Sequence, residues 1–292
     1  MIKAISAPRR ATLAALLVLS ALAGPAAQEG AGSAYATRST VDWKARVLRV
    51  EVSLDMVAAG LRMPEGRLDA ERMMERDIAG LAKDAVFALQ ADSYRTIEAA
   101  VADGSFEPER LVALADLVKV EKSSFSKDMR KFTSTFALSL DAVASLFLSG
   151  AEPAPIRAPL AERPTRDYSG IVIYAKGSFP VHGEGVDGAA SPCLFPRVYD
   201  AEMNLILDKS VVVPEVLARS GPSGGVLGYA SALGVEAGER VGGDPMRVMA
   251  VELFGDDRCD FVISREDALR ILSSPGNREL LRQGRVVVIL GL

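Results

Sequence analysis

Residue types that often carry chemistry are scarce in this sequence of 292 residues, which has one histidine, two cysteines and one tryptophan. The single histidine, His182, excludes any site that needs several histidines. Neither a Ser–His–Asp nor a Cys–His arrangement is recognisable around it. It sits in a Gly-rich loop, where a histidine is most often simply exposed.

An excess of positive charge is also missing. Lys and Arg together number 34 against 38 Asp and Glu, which gives a formal net charge of −4. Contacts from basic side chains to phosphates supply most of the affinity of nucleic-acid binders, and no basic cluster occurs here. The composition therefore excludes nucleic acid as a partner.

Long hydrophobic runs are absent after the N-terminus. There, Lys3, Arg9 and Arg10 precede the apolar run Ala11–Ala23, which small residues follow. This order predicts a signal peptide over residues 1–27; an uncleaved anchor or a buried helix is the alternative. The run is too short to span a bilayer, and no cysteine near the cleavage region could carry a lipid. We expect a periplasmic protein that is exported, not lipidated, and without a membrane span in the mature chain.

The two cysteines, Cys193 and Cys259, both lie in the C-terminal half. In an oxidising compartment such a pair is a candidate disulfide. Two separate buried thiols are the alternative, because free cysteine is among the most buried residue types.

The first half of the chain predicts an α+β module over residues 40–149. Gln28–Ser39 is rich in Gly, Ala and Ser and is expected to be irregular. Alternation over Val41–Met56 predicts one strand that includes Trp43. Apolar residues at helical spacing predict a helix over Leu68–Ala91 with Asp69 as its N-cap. Further short helices, a hairpin of Leu117–Phe125 with Lys131–Leu140, and a closing helix complete the module.

Residues 150–167 contain four prolines and predict a stiff connector between modules; a long loop packed on one domain is the alternative. The second module is predicted over residues 168–292. Gly170–Ala175 (GIVIYA) is typical of a strand covered on both faces. Other predicted strands include Met246–Phe254 and Val286–Leu290, with a helix Arg265–Leu272 between them. Ser264 is the expected N-cap of that helix, and Pro275–Gly276 its stop.

Three features of the sequence are candidates for chemistry. Asp256–Asp260 has three carboxylates but lacks the regular ligand spacing of a calcium loop, which favours a solvated turn. The glycines of Gly221–Gly243 match no phosphate-binding motif, which favours turns and bulges. Arg240 and Arg247 could serve an anionic ligand, but two arginines on a sheet are ordinary. We therefore assign no catalytic, cofactor-binding or metal-binding residue, and expect a protein that is not an enzyme and has no cofactor.

Tyr168–Gly177 (YSGIVIYAKG), followed by Pro196–Asp200 (PRVYD), resembles the Y-T-G-L-V-I-D-A-R-G … P-x-I-Y-D-x-x-G signature of a bacterial envelope family. That family includes flagellar assembly protein T, flagellar protein P and related small outer-membrane lipoproteins. The sequence departs from the signature at Tyr174, where Asp is common, and at Met203, where Gly is expected. The loop Ser178–Pro192 looks inserted, and the lipid-bearing cysteine is missing.

The resemblance implies a non-catalytic protein that packs into a ring or layer of the periplasm. We therefore predict a structural or assembly protein of the cell envelope, with a flagellar association suggested. Its partners would be envelope or flagellar proteins, or further copies of itself. The alternative is a periplasmic binding module for a small ligand or a cell-wall glycan, although one tryptophan and six tyrosines offer little aromatic surface for sugars.

Overall fold

Two mixed helix–sheet modules follow one another in the computed structural model, which describes residues 34–148 and 152–292. This arrangement confirms the predicted α+β class. The predicted signal peptide, residues 1–27, lies outside the described residues. Within the two described ranges, no helix has both the length and the apolar character needed to cross a membrane.

The N-terminal module is an antiparallel four-stranded sheet with helices packed on it. Its elements are β1 (Tyr35–Asp42), β2 (Val47–Asp55), α1 (Gly66–Phe87), β3 (Gln90–Asp92), β4 (Arg95–Thr96), α2 (Ile97–Ala102), a 3₁₀ helix (Pro108–Ala113), α3 (Leu114–Leu117), β5 (Lys119–Phe125), β6 (Lys131–Ser139) and α4 (Leu140–Ser145). The strand order is β1-β2-β6-β5, with β3 and β4 forming a separate small hairpin. Period-2 alternation buries Leu48, Val50 and Val52 on the face of β2 that meets α1.

The C-terminal module is built on a seven-stranded mixed sheet. Its elements are β7 (Ile171–Tyr174), β8 (Ser178–Pro180), β9 (Asp187–Ala189), β10 (Val198–Asp200), β11 (Leu205–Leu207), α5 (Pro214–Leu217), β12 (Gly228–Ala230), α6 (Val235–Val241), β13 (Met246–Phe254), β14 (Asp260–Ile263), α7 (Arg265–Ser273), α8 (Pro275–Arg282) and β15 (Val286–Ile289). The order is β11-β10-β14-β13-β7-β15-β12. Strands β13, β7, β15 and β12 run parallel, whereas β14 and β10 run the opposite way.

Strand β7 is covered on both faces, as the run GIVIYA predicts. On one face Val172 packs with Ala237 and Val241 of α6. On the other face Ile171 and Ile173 belong to the main core, which extends without interruption into the N-terminal module. The two modules therefore share one hydrophobic core.

The N-terminal module packs against one end of the large sheet. At this end, called the rim, lie the C-terminal ends of β12 and β13 and the start of β10. Backbone hydrogen bonds join β3 to this rim: Leu194 N donates to Gln90 O (3.0 Å), and Phe195 N to Ala91 O (2.9 Å). The ring of Trp43 meets that of Tyr229 edge-on, at 6.1 Å between centroids. In open sheets of this kind, ligands usually bind at the carboxyl ends of the strands. Here the first module occupies part of that position.

Several predictions for the first module were wrong in detail. Val41–Met56 is not one strand, because Trp43–Arg46 turns the chain between β1 and β2. Strand β1 also includes Tyr35–Ser39, predicted to be irregular, because pairing with β2 organises this polar stretch; residues 28–33 lie outside the described residues. Helix α1 starts at Gly66, before Asp69, so Asp69 lies in its first turn and is not its N-cap. The predicted hairpin is confirmed as β5–β6.

In the second module Ser264 caps α7 as predicted, since its hydroxyl accepts from Asp267 N (3.1 Å). Pro275 does not merely stop that helix but opens α8, where a proline is favourable because the first helical N–H needs no partner. The Gly-rich Gly221–Gly243 contains the unpredicted helix α6 as well as β12. The Ser178–Pro192 loop forms the hairpin β8–β9.

The Pro-rich segment packs on the second module. Residues 152–167 contain no helix or strand. Their backbone donates to the C-terminal module, from Ala154 N to Ser210 O (2.7 Å) and from Arg163 N to Ser273 Oγ (2.8 Å). This part of the segment is therefore an ordered loop, which was the alternative to a free connector.

Candidate functional site

A buried ion pair lies where the two modules meet. Arg46, in the β1–β2 turn, is 1% exposed, and its Nε donates to Asp141 Oδ1 of α4 at 2.6 Å. Its Nη1 reaches the carbonyl of Leu227 in the second module, at 3.4 Å. Asp141 Oδ2 and Arg46 Nη2 have no hydrogen-bond partner among the described residues. Burial raises the pKa of Asp141, while the nearby positive charge of Arg46 acts in the opposite direction.

A second buried arginine, Arg240 of α6, has only neutral partners. Its guanidinium donates four hydrogen bonds to backbone carbonyls, those of Gly284 (2.7 Å), Pro222 (2.9 Å), Gly224 (2.6 Å) and Gly225 (3.0 Å). It forms no ion pair within the described ranges. Burial lowers the pKa of Arg240 to about 9, so the side chain stays cationic at neutral pH. The result is a buried positive charge without a direct carboxylate partner in the described residues, although Asp141 attracts it from a distance.

The glycines around residue 224 explain how backbone carbonyls come so close to Arg240. A Cβ at Gly224 would lie 1.6 Å from the carbonyl oxygen of Arg219. A Cβ at Gly225, where φ is +73°, would lie 2.3 Å from Arg46 Nη2. These two positions therefore admit only glycine without rearrangement. The sequence predicts turns and bulges at these glycines. It does not predict that these turns wrap the backbone around two arginines.

Arg240 contributes to the lining of two cavities. One, of about 310 Å³, is lined by Lys44 of the first module and by Tyr229, Ser231 and Glu236 of the second. There Lys44 Nζ donates to Ser231 Oγ at 3.1 Å. The other, of about 260 Å³, shares Arg240 with the first. Its lining is mainly polar: Arg219, Ser223, Glu239, Arg240, Gln283 and Arg285, together with Val216.

A buried carboxylate, Asp260, marks a second contact between the modules. Its Oδ1 accepts from Arg197 N at 2.8 Å, whereas its Oδ2 is buried without a hydrogen-bond partner within the described residues. Burial raises the pKa of Asp260 to about 6, although its contacts with Arg197 and Ser93 act in the opposite direction. Ser93 belongs to the first module and donates to Phe254 O at 3.3 Å. Asp260 is thus a structural group rather than part of a solvated turn.

Cys193 and Cys259 are free thiols and both are buried. The two thiols are neighbours: burial, and then the nearby Cys259, raise the pKa of Cys193. The backbone of Cys193 is fixed by Tyr229, whose hydroxyl accepts from Cys193 N and donates to Cys193 O, each at 3.1 Å. The two alternatives were a disulfide and two separate buried thiols. The structure has two buried free thiols, and these thiols are neighbours.

The remaining sequence candidates do not converge on a site. His182 is not a free loop residue: its Nδ1 lies 2.5 Å from Glu252 Oε2. Asp257 accepts from Gln90 Nε2 at 2.5 Å. Within residues 34–148 and 152–292, no group of three or more His, Cys, Asp or Glu is arranged to hold a metal ion. Arg247 lies on β13, apart from both cavities. Sequence reasoning missed Arg46, Asp141, Arg219 and Arg285, because each matters only through contacts made by folding.

The outer face of β13 is an uncovered apolar strip. Met249 is 59% exposed and Val251 39%, although β13 lies in the interior of the sheet. Helix α6 covers the neighbouring strands β7 and β15 but stops short of β13. Arg247 is exposed on the same face and forms no ion pair with any described residue. Met249, Val251 and Arg247 are called the β13 strip below.

Comparison with known proteins gives one match for each module. Residues 34–146 match the family model of the N-terminal domain of Treponema pallidum Tp0624, and residues 170–291 match that of its second domain. The two matched segments follow the same order as the named domains and leave out most of the Pro-rich segment. No curated protein matches the chain. The matches name Tp0624 and not the flagellar assembly family, so the resemblance to that family stays a prediction.

Proposed function

We propose that this chain, which is similar to the first two domains of Tp0624, is a non-catalytic structural or assembly protein of the cell envelope. It acts in the periplasm after export, and an association with the flagellum is the finer form of the proposal. The observation that carries it is the β13 strip, because apolar side chains left uncovered on an interior strand favour contact with another protein.

The union of the modules supports a role as a rigid building block. The shared core, the hydrogen bonds of β3 and the contact of Arg46 with the carbonyl of Leu227 hold the two modules together at several points. A protein that packs into a layer needs such fixed geometry, because it presents the same surface each time.

The partner we propose is an envelope protein with an apolar contact surface bordered by acidic groups. Met249 and Val251 supply the apolar part of the contact on this chain. Arg247 is exposed beside them and has no carboxylate partner in the described part of the chain, so a negative group on the partner would complement it. A second copy of this chain is the competing occupant, and the test below separates the two.

A binding module for a small ligand is the second candidate, favoured by the two cavities that share Arg240. Together they would offer polar groups from both modules to a ligand. A cell-wall glycan is the less favoured ligand here, because Tyr229 is the only aromatic residue among those that line either cavity.

The proposal is tested by photo-cross-linking in cells. A tagged copy carries a photoreactive amino acid at Met249 in one strain and, as a control of similar exposure, at Val57 in another; Val57 is 69% exposed in a turn of the first module. We expect the protein in the periplasmic fraction, with a cross-link to an envelope or flagellar-motor protein from position 249 only. In a separate copy, Met249→Glu should weaken co-purification of that partner.

Three results would contradict the proposal. A monomeric protein that gives no cross-link at position 249 would exclude assembly through the strip. A cross-link to a second copy would replace the proposed partner by self-association. Recovery of the protein in the cytoplasmic fraction would exclude a role in the cell envelope.

A further inference from the structure

The cavity beside Arg240 carries more positive than negative charge. Three of its lining side chains are guanidinium groups, those of Arg219, Arg240 and Arg285, and only Glu239 is acidic. Arg219 and Arg285 form no ion pair with any residue in the described ranges, and neither does Arg240. The Nε atom of Arg285 is buried and lacks a hydrogen-bond partner among these residues.

This arrangement is energetically unfavourable when the cavity is empty. A buried charge is normally paired with an opposite charge or held by a full set of hydrogen bonds. Carbonyls satisfy four donors of Arg240 but carry no charge to offset its own, and Arg46 and Arg219 add like charges nearby, which the single carboxylate of Asp141 opposes. An anion placed in the cavity would neutralise this charge and accept the unused donors.

The chemistry of the lining specifies the kind of anion. Guanidinium groups bind carboxylate and phosphate oxygens through pairs of parallel hydrogen bonds. The hydroxyl of Ser223 and the amide of Gln283 add neutral donors. A volume of about 260 Å³ exceeds the roughly 30 Å³ share of one water molecule several-fold, so there is space for a small organic body as well as the head group.

We propose that this cavity binds a small oxyanion, with Arg219 and Arg285 as its clamp and Arg240 as the fixed charge behind it. The ligand carries a carboxylate or a phosphate head group. The site is independent of the assembly role proposed above, because it lies away from the β13 strip and shares no residue with it.

Isothermal titration calorimetry on the full mature chain tests the site, with inorganic phosphate and succinate as separate probes. The comparison of the two probes distinguishes a phosphate from a carboxylate head group. We expect saturable binding of at least one probe at about 0.15 M salt. Both Arg219→Gln and Arg285→Gln should weaken it about tenfold or more, since each removes a charge-assisted contact. Arg219 is exposed, so its replacement leaves the fold intact.

Two further variants separate a specific site from general charge. Glu239→Gln should tighten binding several-fold, because it removes the one negative charge of the lining. Arg247→Gln removes an equal charge on the β13 strip and should leave binding unchanged. The proposal is overturned if neither probe binds. It is also overturned if Arg247→Gln weakens binding as much as Arg219→Gln, or if Glu239→Gln has no effect.

Discussion

Replacing Asp260 with asparagine is expected to make the protein more stable at neutral pH. The side chain of Asp260 is 0% exposed, and its Oδ2 has no hydrogen-bond partner among the described residues. Asparagine keeps the acceptor that Arg197 N needs, at 2.8 Å in the native structure. It places a neutral amide where the buried carboxylate bears a charge. The change therefore removes the desolvation cost and keeps the shape.

The size of the effect follows from the pKa. Burial raises the pKa of Asp260 from 3.8 to about 6. Between these values the folded state holds a proton that the unfolded state has released, so stability falls as pH rises. The stabilising contribution of protonated Asp260 is fully present below about pH 4 and is lost above about pH 6. A shift of this size corresponds to about 3 kcal/mol. We expect a gain of up to about 3 kcal/mol at pH 7.5, because the pKa of about 6 already includes the opposing attraction to Arg197.

Urea unfolding of both proteins at pH 4, 5, 6 and 7.5 measures this difference. It should be near zero at pH 4 and grow up to pH 7.5. Asp103→Asn is the control of opposite sign. Hydrogen bonds to Ser105 and Arg95 lower the pKa of Asp103 to about 2, so this change should reduce stability at neutral pH. A gain in Asp260→Asn that does not vary with pH, or a loss at pH 7.5, would refute the reasoning.

Two further predictions concern the junction between the modules. Asp141→Ala should lower the free energy of unfolding by about 3–5 kcal/mol, because it leaves the Arg46 charge buried without a carboxylate partner. The double change Arg46→Met with Asp141→Leu should cost far less. Chemical denaturation of these two variants and of the unchanged protein decides this. Gly224→Ala should cost about 3 kcal/mol or more, because a Cβ would lie 1.6 Å from a carbonyl oxygen. Gly80→Ala, at an exposed helical position with nothing within 4 Å, should instead stabilise by about 0.5–1 kcal/mol, so similar melting temperatures of these two variants would contradict the packing argument.

Local patterns determined much of the fold. Alternation and apolar runs are properties of neighbouring residues, so the hairpin β5–β6 and the strands β7 and β13 were predictable. The N-cap role of Ser264 was predictable for the same reason, because a cap depends on the next three residues. Prediction fails where the alternating patterns of two strands follow each other closely along the chain. The strands β1 and β2 were merged, because the alternation continues through their turn at Trp43.

The candidate site was decided by tertiary structure alone. Arg46 and Asp141 are 95 residues apart, and the sequence around neither residue predicts that the two side chains form a buried ion pair. The sequence indicates Arg240 as a residue that could bind an anion. It does not indicate that the side chain is buried, because its burial depends on the Gly-rich segment folding around it. Local periodicity reports which face of an element is apolar; it does not report which distant polar groups that face will meet. The sequence therefore determined the α+β modules, while long-range contacts alone produced the shared core, the neighbouring free cysteines and the cationic cavity.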